Sequence, residues 1–102
     1  MRISDLQRQV DTWMLDHGGY WNNFQIMARL TEETGALSSA LQRAEGLRPR
    51  HAAAGIEIEA GDILFTLAAF ANVTGLDLER AAATALSKYS GRDSADRRGR
   101  SS

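Results

Sequence analysis

Apolar residues recur at helical spacing along most of this chain, and no segment alternates with the period of a strand. Ile3, Leu6, Val10, Trp13 and Met14 mark a first helix, which the pair Ser4 and Gln7 would open as a capping box. His17-Gly18-Gly19 ends it, with glycine where a left-handed cap is wanted. A second helix is predicted from Asn22 or Asn23 to about Glu45, its apolar stripe formed by Met27, Leu30, Leu37, Leu41 and Ala44. A third runs from about Ile56 to Thr74 and stops at Gly75. Its middle, Ile63 to Ala71, is apolar on every side, the pattern of a helix buried all round. Asp77 then caps a fourth, carrying Leu78, Ala81, Ala82, Ala85, Leu86 and Tyr89. Four helices with short connections predict an all-α, antiparallel four-helix bundle.

Between the second and third helices, Gly46 to Gly55 contains the single proline, Pro49, and reads as the longest loop. From Gly91 the sequence is polar and without apolar anchors. Residues 1–91 are therefore expected to form the helical domain, and 92–102 a flexible polar tail.

Length and composition narrow the function. With 102 residues the chain is one domain, and it has few other helices with which to cover its apolar third helix. A homo-oligomer, dimer or tetramer, is expected. A net charge of -1 offers no general attraction for a nucleic acid polymer or an anionic membrane. The longest apolar run is well short of the ~20 residues a membrane span needs. Residues 1–10 lack the apolar core of a signal peptide, and the absence of cysteine excludes disulfides, thiolate zinc sites and cysteine nucleophiles while fitting a reducing cytoplasm.

The informative residues are acids on apolar stripes. Glu33 falls three residues after Leu30 and four before Leu37, on the face expected to be buried, with Glu32 at its edge. On the third helix Glu59 and Asp62 are three apart and so neighbours in space, and Asp62 adjoins the stripe of Ile63, Leu67 and Phe70. Ionised acids in a core are costly unless a cation meets them. Pairing with arginine is one solution, and Arg29 lies one turn before Glu32 and Glu33. A hard divalent ion held by carboxylates from two facing helices is the other.

At these residues the sequence resembles the MazG-like family of all-alpha nucleoside triphosphate pyrophosphohydrolases. The likeness runs through Tyr20-Trp21, Met27 to Gly35, Glu59 to Phe65, Ala71-Asn72, Gly75 to Leu78, Lys88-Tyr89 and Arg92-Asp93, and its specificity lies in their order and spacing. The family signature is Glu-x-x-Glu on one helix and Glu-x-x-Asp on the next. The resemblance implies Mg²⁺ (or Mn²⁺) ligands at Glu33, Glu59 and Asp62, with Ala36 standing where a fourth acid is expected. It further implies hydrolysis of a nucleoside triphosphate to a monophosphate and pyrophosphate, with Glu32 as general base. Lys88 and Arg92 are implied phosphate contacts, although Lys88 also suits a helix C-terminus as a cation. Asn72 is a candidate for contact with substrate or with free backbone groups, and Trp21 for base stacking or a core place. Because of Ala36, a non-catalytic helical module for nucleotide sensing or subunit assembly is the alternative. His17 and His51 have no partner at metal-ligand spacing.

Overall fold

In the computed structural model, residues 1–49 and 55–100 are described, with side chains to residue 91. The four helices are α1 (Ile3–Asp16), α2 (Asn23–Ala44), α3 (Ile56–Thr74) and α4 (Leu78–Arg100). Among the described residues there is no strand, and no helix is long and apolar enough to cross a membrane. His51 and the alanines after it lie outside the described residues.

α3 is the central element. It packs against both α2 and α1, and α4 makes a smaller contact with α1. Val10 and Met14 of α1 meet Ala68 and Ala69 of α3, all almost wholly buried, with Leu6, Tyr20, Trp21 and Phe65 closing around them. Alanine is small enough for the two helices to approach closely, so the larger Met14 can fill the space between them. On α2 the buried residues are Ile26 and Ala40.

Helix ends largely follow their sequence signals. Asn22 caps α2, its side chain accepting from Gln25 N while Gln25 Oε1 accepts from Asn22 N. Gly75 ends α3 at φ 72°, a left-handed conformation that glycine adopts without a Cβ clash. Asp77 Oδ1 accepts from Arg80 N at 3.1 Å.

Three expectations are corrected. The first helix opens at Arg2, not Ser4: Asp5 takes the free Arg2 N–H at 3.0 Å, and Gln7 spends its amide elsewhere. The Arg2 N–H, and then the Arg8 guanidinium, hold the Asp5 carboxyl below the usual range. On α2, Met27 and Leu41 are about half exposed and Ala44 faces solvent. They stand off the packed face, which Ile26, Leu30, Glu33, Leu37 and Ala40 form at intervals of three and four. Within one chain α3 is not buried all round, since Ile58 and Leu64 are more than half exposed. The backbone of α4 runs on as helix past Gly91, to Arg100.

Candidate metal centre and nucleotide site

Packing of α2 on α3 brings the predicted acids together. Glu33 comes from the middle of α2, and Glu59 and Asp62 from the first two turns of α3. One carboxylate oxygen from each lies within 4.8 Å of the others. Glu59 is only 9% exposed, Glu33 is largely buried and Asp62 is exposed. The cluster is thus rooted in the interface and opens to solvent on one side.

Three carboxylates this close repel one another. Arg29 relieves part of that charge: its Nε lies 3.6 Å from Glu33 Oε1. Among the described residues no cationic side chain pairs with Glu59 or Asp62. The donor set is all oxygen, without sulfur or imidazole, which suits Mg²⁺ or Mn²⁺ over softer ions. Oxygens around an octahedral Mg²⁺ are about 3 to 4 Å apart, so small side-chain rotations would bring the three acids onto one ion. The residues present fit such a group.

Two of the acids, Glu33 and Asp62, border a cavity of about 380 Å³ that is lined also by Trp13, Trp21, Arg29, Phe65 and Thr66. A second cavity, of about 340 Å³, adjoins it through Trp21 and Arg29 and is completed by Gln25, Ala28 and Glu32. Each is within the size range of small-molecule sites. Trp21 therefore stands at the junction of both, with the Arg29 guanidinium 5.2 Å from its ring centre. Trp13 stacks on His17 and meets Phe65 edge-on, with ring centres 5.4 Å apart in the second pair.

The other predicted residues are placed differently. Glu32 is exposed and lines the cavity next to the one bordered by the acid cluster. Asn72 is engaged at the α1–α3 contact: its Nδ2 donates to Gln7 O at 2.9 Å and to the Tyr20 hydroxyl at 3.0 Å, and its Oδ1 accepts from Gln7 Nε2. Lys88 lies over the Tyr89 ring and lines a separate groove of about 600 Å³ with Gly75, Asp77, Arg80 and Thr84. The Arg92 side chain lies outside the described residues. His17, at the α1 C-cap, uses Nδ1 on Trp13 O.

Sequence reading missed the part that Trp13, Phe65 and Thr66 play in lining the cavity. Thr66 carried a signal, as a polar residue inside the α3 apolar run that turns out to be 3% exposed. Trp13 and Phe65 carried none, because an aromatic lining a cavity and one filling a core share the same spacing.

Known proteins extend this picture. The model of the MazG nucleotide pyrophosphohydrolase domain matches residues 22–95. The chain is 35% identical over 95 residues to the uncharacterized protein YpjD of Bacillus subtilis (strain 168), a match covering 89% of this chain and 86% of that one. Among solved structures, the Bacillus-conserved MazG protein, a nucleotide pyrophosphohydrolase, superposes with a TM-score of 0.76 at 33% identity, over 87% of this chain and 90% of that one. The structure of YPJD from Bacillus subtilis gives the same TM-score and identity, over 95% of its length. The matched span contains Glu33, Glu59 and Asp62 together, and the chain belongs to the MazG nucleotide pyrophosphohydrolase domain family.

Proposed function

We propose that this protein is a divalent-metal-dependent nucleoside triphosphate pyrophosphohydrolase, working in the cytoplasm as a homo-oligomer. The observation that carries the reading is the convergence of Glu33, Glu59 and Asp62 beside a cavity edged by Arg29 and Trp21. Glu33, Glu59 and Asp62 would hold Mg²⁺ or Mn²⁺. Bound there, the ion supplies charge neutralisation for the polyphosphate and lowers the pKa of the attacking water. Glu32, exposed in the adjoining cavity, takes the proton from that water as it attacks the α-phosphorus. The α–β bridging bond breaks, leaving a nucleoside monophosphate and pyrophosphate. Trp21 offers a flat apolar face for the base. Lys88 and Arg92 serve as phosphate contacts only if a second subunit brings them to the acids, because Lys88 lines a different groove of its own chain.

Uncovered apolar surface supports the assembly. Phe24 and Met27 on α2, Leu64 on α3 and Leu86 on α4 are 46–88% exposed, more than a solitary domain of this size leaves to water without reason.

Pyrophosphate release across a panel of canonical and modified triphosphates, with Mg²⁺ and with Mn²⁺, tests the reading. Glu59→Gln and Asp62→Asn are expected to cut turnover by about 100-fold or more, the size of losing about 3 kcal/mol of transition-state stabilisation. Ala36 favours one other reading, a non-catalytic module for nucleotide sensing or subunit assembly. Absence of product with every substrate, together with no metal-dependent rise in melting temperature, would leave only that module.

A further inference from the structure

Arg29 makes contacts that the hydrolytic scheme leaves unused. Its Nε reaches Glu33 Oε1 at 3.6 Å. Its guanidinium sits over Trp21. With Trp21 it is common to both cavities, between Glu32 on one side and Glu33 with Asp62 on the other. The arginine side chain is 51% exposed and the glutamate 17%, so the cation approaches the acid from the solvent side.

The ion pair is loose. It is a single long contact between residues one turn apart, not a bidentate fork, and pairs of this kind contribute little. A divalent ion at Glu33, Glu59 and Asp62 would claim the same Glu33 carboxylate and repel the guanidinium. Trp21 limits where the released group can go, since the ring face attracts the cation and keeps it at the cavity mouth. A polyphosphate touching that ion would occupy the same mouth, and a guanidinium matches phosphate oxygens in geometry and charge.

The geometry points to Arg29 as an exchange cation, which neutralises Glu33 in the metal-free protein and passes to a substrate phosphate when the metal enters, making metal and polyphosphate bind cooperatively. This rests on the reading of the acid cluster as a divalent-metal site. Alone, the metal has to displace Arg29. With polyphosphate present, the displaced guanidinium gains a new anion and the penalty is recovered. Binding of the two is then coupled through one side chain, and reciprocally so. Removing Arg29 moves the two affinities in opposite directions, whereas a purely structural role would weaken both.

Calorimetry on the full chain separates these cases. Mn²⁺ is titrated alone, and inorganic tripolyphosphate is then titrated in excess Mn²⁺, so that no base contact intervenes. Arg29→Gln is expected to bind Mn²⁺ roughly two- to fivefold more tightly, the range set by an exposed ion pair. It is expected to bind tripolyphosphate about tenfold or more weakly, the size of a lost charge-assisted hydrogen bond. Arg29→Lys, which keeps the charge, falls between wild type and Arg29→Gln on both measures, and carries the test if the glutamine variant melts early. The inference is overturned if Arg29→Gln binds Mn²⁺ no more tightly, or binds tripolyphosphate as wild type does. Wild type that takes up no Mn²⁺ at all overturns the metal-site reading with it; wild type that binds Mn²⁺ while Arg29→Gln behaves identically overturns only the role of Arg29.

Discussion

Ala36 lies three residues beyond Glu33 on the same half-buried side of α2. Were a divalent ion held there, single oxygens from Glu33, Glu59 and Asp62 would leave about half of an octahedral shell for water and phosphate. A fourth carboxylate would fill one of those places and add a negative charge. Ala36→Glu is therefore expected to raise Mn²⁺ affinity by about tenfold or more and to increase pyrophosphate release, with the fold retained because glutamate is a good helix former. If neither quantity moves, the three native acids are not poised around a common point. Glu33 was legible in the sequence because a charge on an apolar stripe conflicts with burial, while Glu59 and Asp62, the latter exposed, were marked by their three-residue spacing. Lys88 shows the limit of that logic. Its charge suits a phosphate, yet which groove it faces depends on how α4 crosses α1, and periodicity within one helix does not encode a crossing.

Between elements, the Tyr20 hydroxyl is a junction. It donates to the Asp11 carboxylate on α1 and accepts from Asn72 Nδ2 on α3. Burial, with the Asp11 carboxylate adding to it, pushes the phenol up from 10.0 to about 12. A group whose folded pKa is raised stabilises the fold fully below its unfolded pKa and loses that contribution as pH climbs toward the folded one. The melting temperature of wild type should hold its advantage over Tyr20→Phe up to about pH 10 and lose it between about pH 10 and 12. A gap that stays constant through that window would mean the phenol titrates as in the unfolded chain. No sequence pattern announced this junction, as its members are 9 and 52 residues from Tyr20. Helix existence and most boundaries were readable because capping and period are local. The α2 stripe was misjudged at Met27 and Leu41, since a helix with apolar residues on several sides does not say which side its neighbours will cover.

For the whole molecule, the Cα radius of gyration is 17.6 Å, against about 13 Å for a compact domain of 100 residues. One chain encloses its interior poorly, and the apolar groups left outside are large. Sedimentation at micromolar concentration should give a mass at least twice the 11.2 kDa of one chain. Leu64→Glu should lower it, because a buried unpaired charge opposes association. A single-chain mass for wild type would leave the exposed leucines and Phe24 without a partner. The same openness makes the placement of α4 depend on very little, and much of it rests on Gln7. The Oε1 of that one amide accepts from Leu78 N at 2.8 Å, and its Nε2 donates to Leu76 O and Asn72 Oδ1. The corner leading into the last helix is thereby hung from the second turn of the first, so the heading of the C-terminal arm is decided near the N-terminus. Deamidation of this single glutamine would swap a donor for a negative charge facing two acceptors, and the arm would lose its hinge-pin while every helix stayed intact.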